Sequence, residues 1–278
     1  MHTPTAIART LTHVAATAAV VLPALAAHAQ DAVQWRVEDG GNGHWYLLTT
    51  GEDKPSWQEA SNAAVEMGGH LVTITSQGEN DWVVNALGAS DEHIGAFQDI
   101  SADDYSEPGG GWRWVTGEPW SYQNWSGSGP DNNNLEEPSE ELAHFCCSGR
   151  WNDIYPTKRN AAIEWSADCN GDGIVDYGQI LDGTFADEDG NGVPDPCDPV
   201  QWRVEDGGNG HWYRGILDSS GPEGITWDEA REIAIGGGGD LASLETQSEL
   251  EWVYETIGSD PSLWWANAGE NDGPYLGG

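Results

Sequence analysis

Hydrophobic and polar positions in the first part of the chain follow regular periods that predict short elements. Trp57 to Met67 has the spacing of an amphipathic helix, and Gly68-Gly69 would end it. Leu71 to Thr75 alternates as a strand does, and Gln77 to Leu87 again has helical spacing. Short tryptophan-rich strands and loops follow. This order predicts an α+β fold and not a parallel βαβ array.

The chain also contains an internal repeat. The phrase VQWRVEDGGNGHWY occurs at Val33 to Tyr46 and again at Val200 to Tyr213. After it, Ser56 to Val83 stays in step with Thr226 to Val253. The repeat predicts two copies of one domain in a tandem array, with the second copy truncated at Gly278.

Several segments of the first copy resemble a known family. GGHLVTITSQGENDWV, HIGAFQD, GWRWVTGEPWSYQNW and GRWNDIY occur in the order and at the spacing of a C-type lectin-like domain, and AAIEW fits its closing strand. The match covers residues 34–165, and residues 200–278 resemble the first half of a second such domain. The resemblance implies the C-type lectin-like fold, with two helices, small antiparallel sheets and a long loop.

In this family a calcium ion lies in the long loop, and sugar hydroxyls coordinate it directly. The resemblance places Gly129-Pro130-Asp131 where the family has Glu-Pro-Asn or Gln-Pro-Asp, with a proline that is usually cis. Glu140 stands at the position of a ligand glutamate, and Asn152-Asp153 at the final Asn-Asp pair. The implied ligands of calcium, and through it of a glycan, are Asp131, Glu140, Asn152 and Asp153.

Gly129 departs from the family pattern because it has no side-chain oxygen. Loss of one ligand weakens a flexible calcium site, and a neighbouring side chain can substitute for it. The candidates for that substitution are Asn132, Asn133, Glu136 and Glu137. The departure also removes the residue pair that separates mannose-type from galactose-type sites. A calcium-independent, protein-binding or adhesion module therefore remains the alternative.

The segment between the copies, residues 166–199, has nine Asp or Glu residues and no Lys or Arg. Two stretches in it have the spacing of calcium loops, with a glycine at the sixth position. The first stretch supplies Asp168, Asn170, Asp172 and Asp176, with Gln179 at the twelfth position. The second supplies Asp187, Asp189, Asn191, Asp195 and Asp198. The pair resembles dockerin and thrombospondin type 3 repeats, which are EF-hand-like, whereas a flexible acidic linker is the simpler alternative.

Four cysteines complete the candidate chemistry. Cys169 and Cys197 bracket the Asp-rich segment, and in an exported protein we expect them to form a disulfide. A zinc site is less consistent with the spacing, which lacks close Cys or His pairs. Cys146 and Cys147 are adjacent, and either a strained vicinal disulfide or a bond to a partner chain is compatible with them.

Composition and the N-terminus limit the function classes. Ten Lys+Arg against 47 Asp+Glu give a formal charge of -37, which disfavours nucleic acid and anionic membranes as partners. Residues 1–29 have the pattern of a cleaved signal peptide, so we expect a secreted, extracellular protein without membrane insertion. Nucleophile-elbow, zinc-protease and P-loop motifs are lacking, which argues against an enzyme. The leading prediction is a calcium-dependent module that binds glycans or glycoproteins, with Trp120, Tyr122 or Trp125 either in the core or against a sugar.

Overall fold

A computed structural model describes most of the chain after the N-terminal stretch. The described residues are 31–133, 139–216, 226–236, 239–259, 263, 265–267, 270–272 and 274–277. The predicted signal peptide (residues 1–29), Glu136 and Glu137 lie outside them. Within the described part, no helix has both the length and the apolar character needed to cross a membrane.

Within its described residues, the first copy combines two α-helices with two antiparallel four-stranded sheets. Its elements, in chain order, are β1 (Val33–Gln34), β2 (Trp45–Leu48), α1 (Trp57–Glu66), β3 (His70–Leu71), α2 (Gln77–Trp82), β4 (His93–Gln98), β5 (Trp112–Trp114), β6 (Leu142–Cys146), β7 (Arg150–Ile154) and β8 (Ala162–Trp165). One sheet has the order β1-β2-β8-β3, and the other has the order β5-β4-β6-β7. Both sheets and both helices agree with the mixed helix and strand content predicted from the sequence.

The two predicted helices are present, and local hydrogen bonds explain where they begin. The hydroxyl of Ser56 accepts the amide of Glu59, whose carboxylate in turn accepts the Ser56 amide, so a capping box starts α1. At the start of α2 the Ser76 hydroxyl accepts the Glu79 amide. A π-helical turn, Val83–Leu87, continues α2 to the end of the predicted helical stretch.

The predicted strand Leu71 to Thr75 is wrong in its length, because the sheet includes only His70–Leu71. Side chains take the backbone amides that a longer strand would use for pairing. The Thr73 amide donates to Oε2 of Glu164 at 2.9 Å, and the Thr75 amide donates to Oε2 of Glu79 at 2.8 Å. Two buried glutamates therefore end the strand.

Aromatic residues form the centre of the first copy. Trp151 is fully buried, and Trp114 meets it edge-on with 5.5 Å between ring centroids. The indole N–H of Trp151 donates to Oδ1 of Asn80 at 2.9 Å, which ties α2 to the sheet that contains β7. The aromatic core therefore fixes β7, the strand to which the long loop is anchored.

The Asp-rich segment packs against the first copy. Its helix α3 (Asp176–Leu181) places Tyr177 in a buried cluster with Trp165, Ile163 and Met67. The predicted disulfide between Cys169 and Cys197 is present, with 6.2 Å between the Cα atoms. The predicted calcium-loop segment is therefore part of a packed unit in this structure.

The described part of the second copy repeats the local geometry of the first. Its elements are β9 (Val200–Gln201), β10 (Trp212–Tyr213), α4 (Trp227–Gly236), α5 (Gln247–Val253), β11 (Trp265–Asn267) and β12 (Glu270–Asp272). Trp202 stacks on Trp252 with 5.8 Å between centroids, as Trp35 stacks on Trp82 at 5.8 Å. The repeated sequence thus forms the same stacked pair twice.

Candidate functional site

The β6–β7 hairpin positions the predicted ligands of the long loop. Glu140 lies just before β6, and Asp153 lies on β7 with Ala143 as its cross-strand partner. The other side of β7 holds the start of the long loop, because the Ser126 amide donates to the Trp151 carbonyl at 2.8 Å. The two ends of the loop are therefore anchored on the same strand.

Three of the predicted ligands converge at this place. The carboxylates of Asp131, Glu140 and Asp153 have oxygen atoms within 4.8 Å of one another. Oδ2 of Asp153 accepts the backbone amides of Asp131 at 2.9 Å and Asn132 at 2.8 Å. Oε2 of Glu140 accepts the Asn133 amide at 2.9 Å. The Gly129-Pro130 peptide bond is cis, as the resemblance implied.

The electrostatics of this cluster favour a cation. Asp153 is 1% exposed, and its Oδ1 atom has no hydrogen-bond partner within the described residues. Burial raises the pKa of Asp153, and the nearby charge of Asp131 raises it further. The backbone amides of Asn132 and Asp131 act in the opposite direction without cancelling this rise. A buried carboxylate oxygen without a donor is costly, and a bound cation would offset this cost.

Asn152 and Gly129 both lie close to Asp153. Asn152 lies beside Asp153 on β7, and its side-chain nitrogen donates to the Asp153 carbonyl. A Cβ atom at Gly129 would lie 3.9 Å from Oδ1 of Asp153 and 3.1 Å from the Ser126 carbonyl oxygen. A longer side chain at position 129 therefore starts close to the carboxylate oxygen that lacks a partner.

The three aromatic residues considered for sugar stacking pack on the core. Trp120 lies 4.7 Å from Trp114 between ring centroids, and Trp125 lies 5.9 Å from Trp151. Tyr122 meets Trp151 edge-on at 5.6 Å, and its hydroxyl donates to Gln77. These contacts account for all three rings as packing residues.

The two Asp-rich stretches adopt matching loops. At the first position, Asp168 accepts the amides of Asp172 at 3.2 Å and Gly173 at 2.8 Å. Asp187 does the same with Asn191 at 3.1 Å and Gly192 at 3.0 Å. Gly173 and Gly192 have φ values of 83° and 80°, the left-handed conformation expected at the sixth position.

The later positions of the loops match as well. Asp176 and Asp195, at the ninth positions, accept the amides of Cys169 and Glu188, each at 3.0 Å. At the twelfth positions, Gln179 donates to Oδ2 of Asp172 at 2.7 Å, and Asp198 accepts from Asn191 at 3.0 Å. At the third positions, the side chain of Asn170 donates to Asp172 and the side chain of Asp189 accepts from Asn191, so each third residue contacts the fifth residue of its loop.

The first loop also has buried groups that favour a cation. Gln179 is 4% exposed, and its Oε1 atom has no partner within the described residues. Burial raises the pKa of Asp176 to about 6, although the hydrogen bond from the Cys169 amide lowers it. The charges of Asp168 and Asp172 add to the rise. The loop thus contains both a buried oxygen without a donor and a carboxylate whose ionisation is disfavoured.

A second group of converging side chains was not predicted from the sequence. His44, Glu79 and Glu164 have ligand atoms within 4.8 Å of one another. Burial opposes a charge on His44, but its 2.6 Å contact with Glu164 outweighs this and raises the pKa of the imidazole. Tyr46 donates to Glu79 at 2.7 Å, and Tyr213 donates to Glu249 in the second copy. Glu79 recurs as Glu249 in the repeat, which was the sequence signal for this network, and its contacts support a structural role.

The adjacent cysteines lie at the turn of the β6–β7 hairpin and are not disulfide-bonded. Cys147 is exposed and Cys146 is half-buried. Burial, together with the contact between the two thiols, raises the pKa of Cys146 to about 11. The Cys146 thiol is therefore protonated at neutral pH.

Residues 53–163 match the model of the family described as "Lectin C-type domain". Human C-type mannose receptor 2 is 26% identical over 217 residues, which cover 76% of this chain and 12% of the receptor. A perlucin-like protein of Mytilus galloprovincialis is 37% identical over 105 residues, which cover 37% of this chain and 64% of that protein. The chain thus spans less than two thirds of the length of either relative.

Among solved structures, the carbohydrate-recognition domain of the mouse scavenger receptor C-type lectin is similar to part of this chain. The identity is 25%, the TM-score is 0.38, and the match covers 46% of this chain and 92% of that domain. The family model and the two relatives together support a C-type lectin domain over residues 53–163 of this chain.

Proposed function

We propose that this chain is a calcium-dependent recognition module that binds carbohydrate through Asp131, Glu140, Asn152 and Asp153. The observation that carries the proposal is the buried Oδ1 atom of Asp153, which lacks a partner beside the carboxylates of Asp131 and Glu140. Calcium prefers six to eight hard oxygen ligands, and this cluster offers several. Sugar hydroxyls would complete the coordination of the ion.

The relatives support a glycan as the ligand. The human relative is a mannose receptor by name, and the matching family is that of the C-type lectin domain. Gly129 lacks the side chain that distinguishes mannose-type from galactose-type sites in the family. The proposed ligand is therefore a glycan or glycoprotein, without a choice between these two sugar classes.

A calcium titration of the whole chain by calorimetry tests the proposed site. Replacing Asp153 by Asn or Glu140 by Gln should remove one saturable calcium site, because both carboxylates line the cluster. Glu141→Gln is the matched control, since Glu141 is adjacent but pairs with Ser139. A glycan array probed with and without chelator then tests ligand binding. Unchanged stoichiometry in Asp153→Asn would contradict the proposal.

Gly129 favours a second candidate function, a calcium-independent protein-binding or adhesion module. Such a module would keep the packed core around Trp151 and need no ion in the long loop. Binding to a protein ligand that survives chelator and the Asp153→Asn change would support this alternative over the lectin function.

We also propose that the two Asp-rich loops bind calcium as structural sites. Their matched hydrogen bonds and the partnerless Oε1 of Gln179 support this. Ion removal would then leave nine carboxylates of one segment to repel one another. Asp172→Asn and Asp189→Asn should each reduce the calcium stoichiometry by one, while Asp182→Asn, outside both loops, should not.

Export and tandem arrangement complete the proposal. Residues 1–29 would be removed as a signal peptide, which leaves Gln30 at the mature N-terminus. The domains would be residues 34–165, the Asp-rich segment 166–199 and a second lectin-like copy over 200–278. A weak site gains avidity from repetition. Mass spectrometry of the exported protein checks the cleavage, and an uncleaved N-terminus would contradict it.

A further inference from the structure

Helix α3 contacts both the first Asp-rich loop and the core of the lectin domain. Asp176 and Gln179 belong to the loop, and they are 3% and 4% exposed. Tyr177, between them in sequence, is 6% exposed and stacks on Trp165 with 4.5 Å between centroids and 22° between planes. A single short helix therefore carries alternating contacts to two different parts of the molecule.

The contact with the core is close and specific. Tyr177 also meets Trp45 edge-on at 5.6 Å, and Trp45 and Trp165 are cross-strand partners in β2 and β8. A Cβ atom at Gly178 would lie 3.0 Å from Nε1 of Trp45, so this position leaves little room for a side chain. Trp212, the counterpart of Trp45 in the second phrase, is 64% exposed, so the phrase alone does not bury this ring.

The second loop touches the same domain. A Cβ atom at Gly192 would lie 2.0 Å from the Met67 carbonyl oxygen, and one at Gly68 would lie 2.3 Å from the Gly192 carbonyl oxygen. Backbone thus packs on backbone at the end of α1. The Asp-rich segment therefore contacts the lectin domain at two places, through Tyr177 of α3 and through Gly192 at the end of α1.

We propose that α3 couples cation binding in the loop 168–179 to the packing of the lectin core. A cation bound by oxygens of Asp176 and Gln179 holds the helix in the position that keeps Tyr177 stacked on Trp165 and in edge contact with Trp45. The partnerless Oε1 of Gln179 indicates that this position is completed by a ligand. The inference rests on the proposed calcium binding in this loop, and it makes the Asp-rich segment a calcium-responsive part of the lectin domain.

Coupling of this kind is reciprocal, which gives it a sharp test. Tyr177 offers no carboxylate to the loop, yet its replacement must weaken calcium binding there if the coupling exists. We expect Tyr177→Ala to weaken binding about tenfold, a typical size for coupled sites. Tyr177→Phe keeps the stacked ring and should bind calcium as the parent does.

The experiment uses the full chain with Asp153→Asn and Asp189→Asn, so that the remaining isotherm belongs to the loop 168–179. Adding Asp172→Asn should abolish that isotherm and so assign it. Phe97→Leu is the control for general loss of stability, because Phe97 packs in a separate cluster with Trp57. Near-ultraviolet circular dichroism should also change with calcium in the parent and much less in Tyr177→Ala.

The outcomes separate the coupling from the proposals on which it rests. An unchanged calcium affinity in Tyr177→Ala overturns the coupling and leaves calcium binding intact. If the variant with Asp153→Asn and Asp189→Asn shows no calcium isotherm, or if Asp172→Asn leaves that isotherm unchanged, both the loop site and the coupling are overturned. The long-loop site is tested separately. If Tyr177→Ala does not fold, Trp45→Phe is used in its place, because it removes the edge contact with Tyr177. We expect it to weaken calcium binding by a smaller factor.

Discussion

The carboxylate of Asp153 accepts the backbone amide of Asp131 at 2.9 Å, although 22 residues separate them in the chain. This bond holds the residue after the cis Gly129-Pro130 bond against the strand that follows the long loop. The second carboxylate oxygen has no partner, so the same side chain both shapes the loop and offers a ligand atom. The loop conformation and the proposed cation site therefore share one residue.

Position 129 gives a direct prediction of gained function. Gly129→Glu should strengthen calcium binding in the long loop by about tenfold, because it adds a carboxylate near Oδ1 of Asp153. Gly129→Ala adds only the Cβ and serves as the control, with no gain expected. Calorimetry on the whole chain measures both, and equal affinities for the two variants would contradict the placement of position 129 at the site.

Stability should depend on pH through His93 and His144, which are cross-strand partners. Burial, and then the charge of Arg159, lowers the pKa of each imidazole to about 4. Because the unfolded value is near 6.5, the stability present above pH 6.5 is lost as the pH falls towards 4, by roughly 3 kcal/mol per ring. Urea unfolding in chelator at several pH values measures this loss.

The variant with both His93→Gln and His144→Gln should lose less stability over this pH range than the parent. His44→Gln is the control of opposite sign, since the pKa of His44 is raised and its contribution is lost as the pH rises. Equal pH dependence in the parent and the double variant would contradict the assignment.

Asn80→Ala should destabilise the first copy by roughly 2–4 kcal/mol. It would leave the buried indole N–H of Trp151 without its 2.9 Å bond, and it would remove one of the two side-chain bonds to the Gly149 carbonyl, which Asn124 also contacts. Gln58→Ala, which removes an exposed pair with Asn62, should change stability by about 0.5 kcal/mol or less. Thermal unfolding followed by tryptophan fluorescence compares the two, and similar melting temperatures would argue against the role of Asn80.

Loss of the Cys169–Cys197 disulfide should cost about 3–4 kcal/mol, given a sequence separation of 28 residues. The variant with both cysteines changed to Ser tests this in chemical unfolding. Changing Cys146 and Cys147 to Ser is the matched control, because neither is bonded in this structure. A comparable loss in the control would indicate that the hairpin cysteines also form a stabilising bond.

The features that the sequence determined by itself are those that lie within short stretches of chain. The period of residues 57–67 predicted α1, and the spacing of Asp168 to Asp176 and of Asp187 to Asp198 predicted two matching loops. The Cys169–Cys197 bond was predictable because these residues bracket one compact segment. Helical periods, turn glycines and loop hydrogen bonds join residues that are close in sequence, so composition and spacing are sufficient to reveal them.

Only the tertiary structure decided the features that join distant residues. The strand after Leu71 ends early because Glu164, 91 residues from Thr73, takes the Thr73 amide. The docking of Tyr177 on Trp45 likewise has no signature in local spacing. Such contacts depend on which strands pair and on which polar groups become buried without a partner. Both are decided only when segments that are distant in sequence pack together.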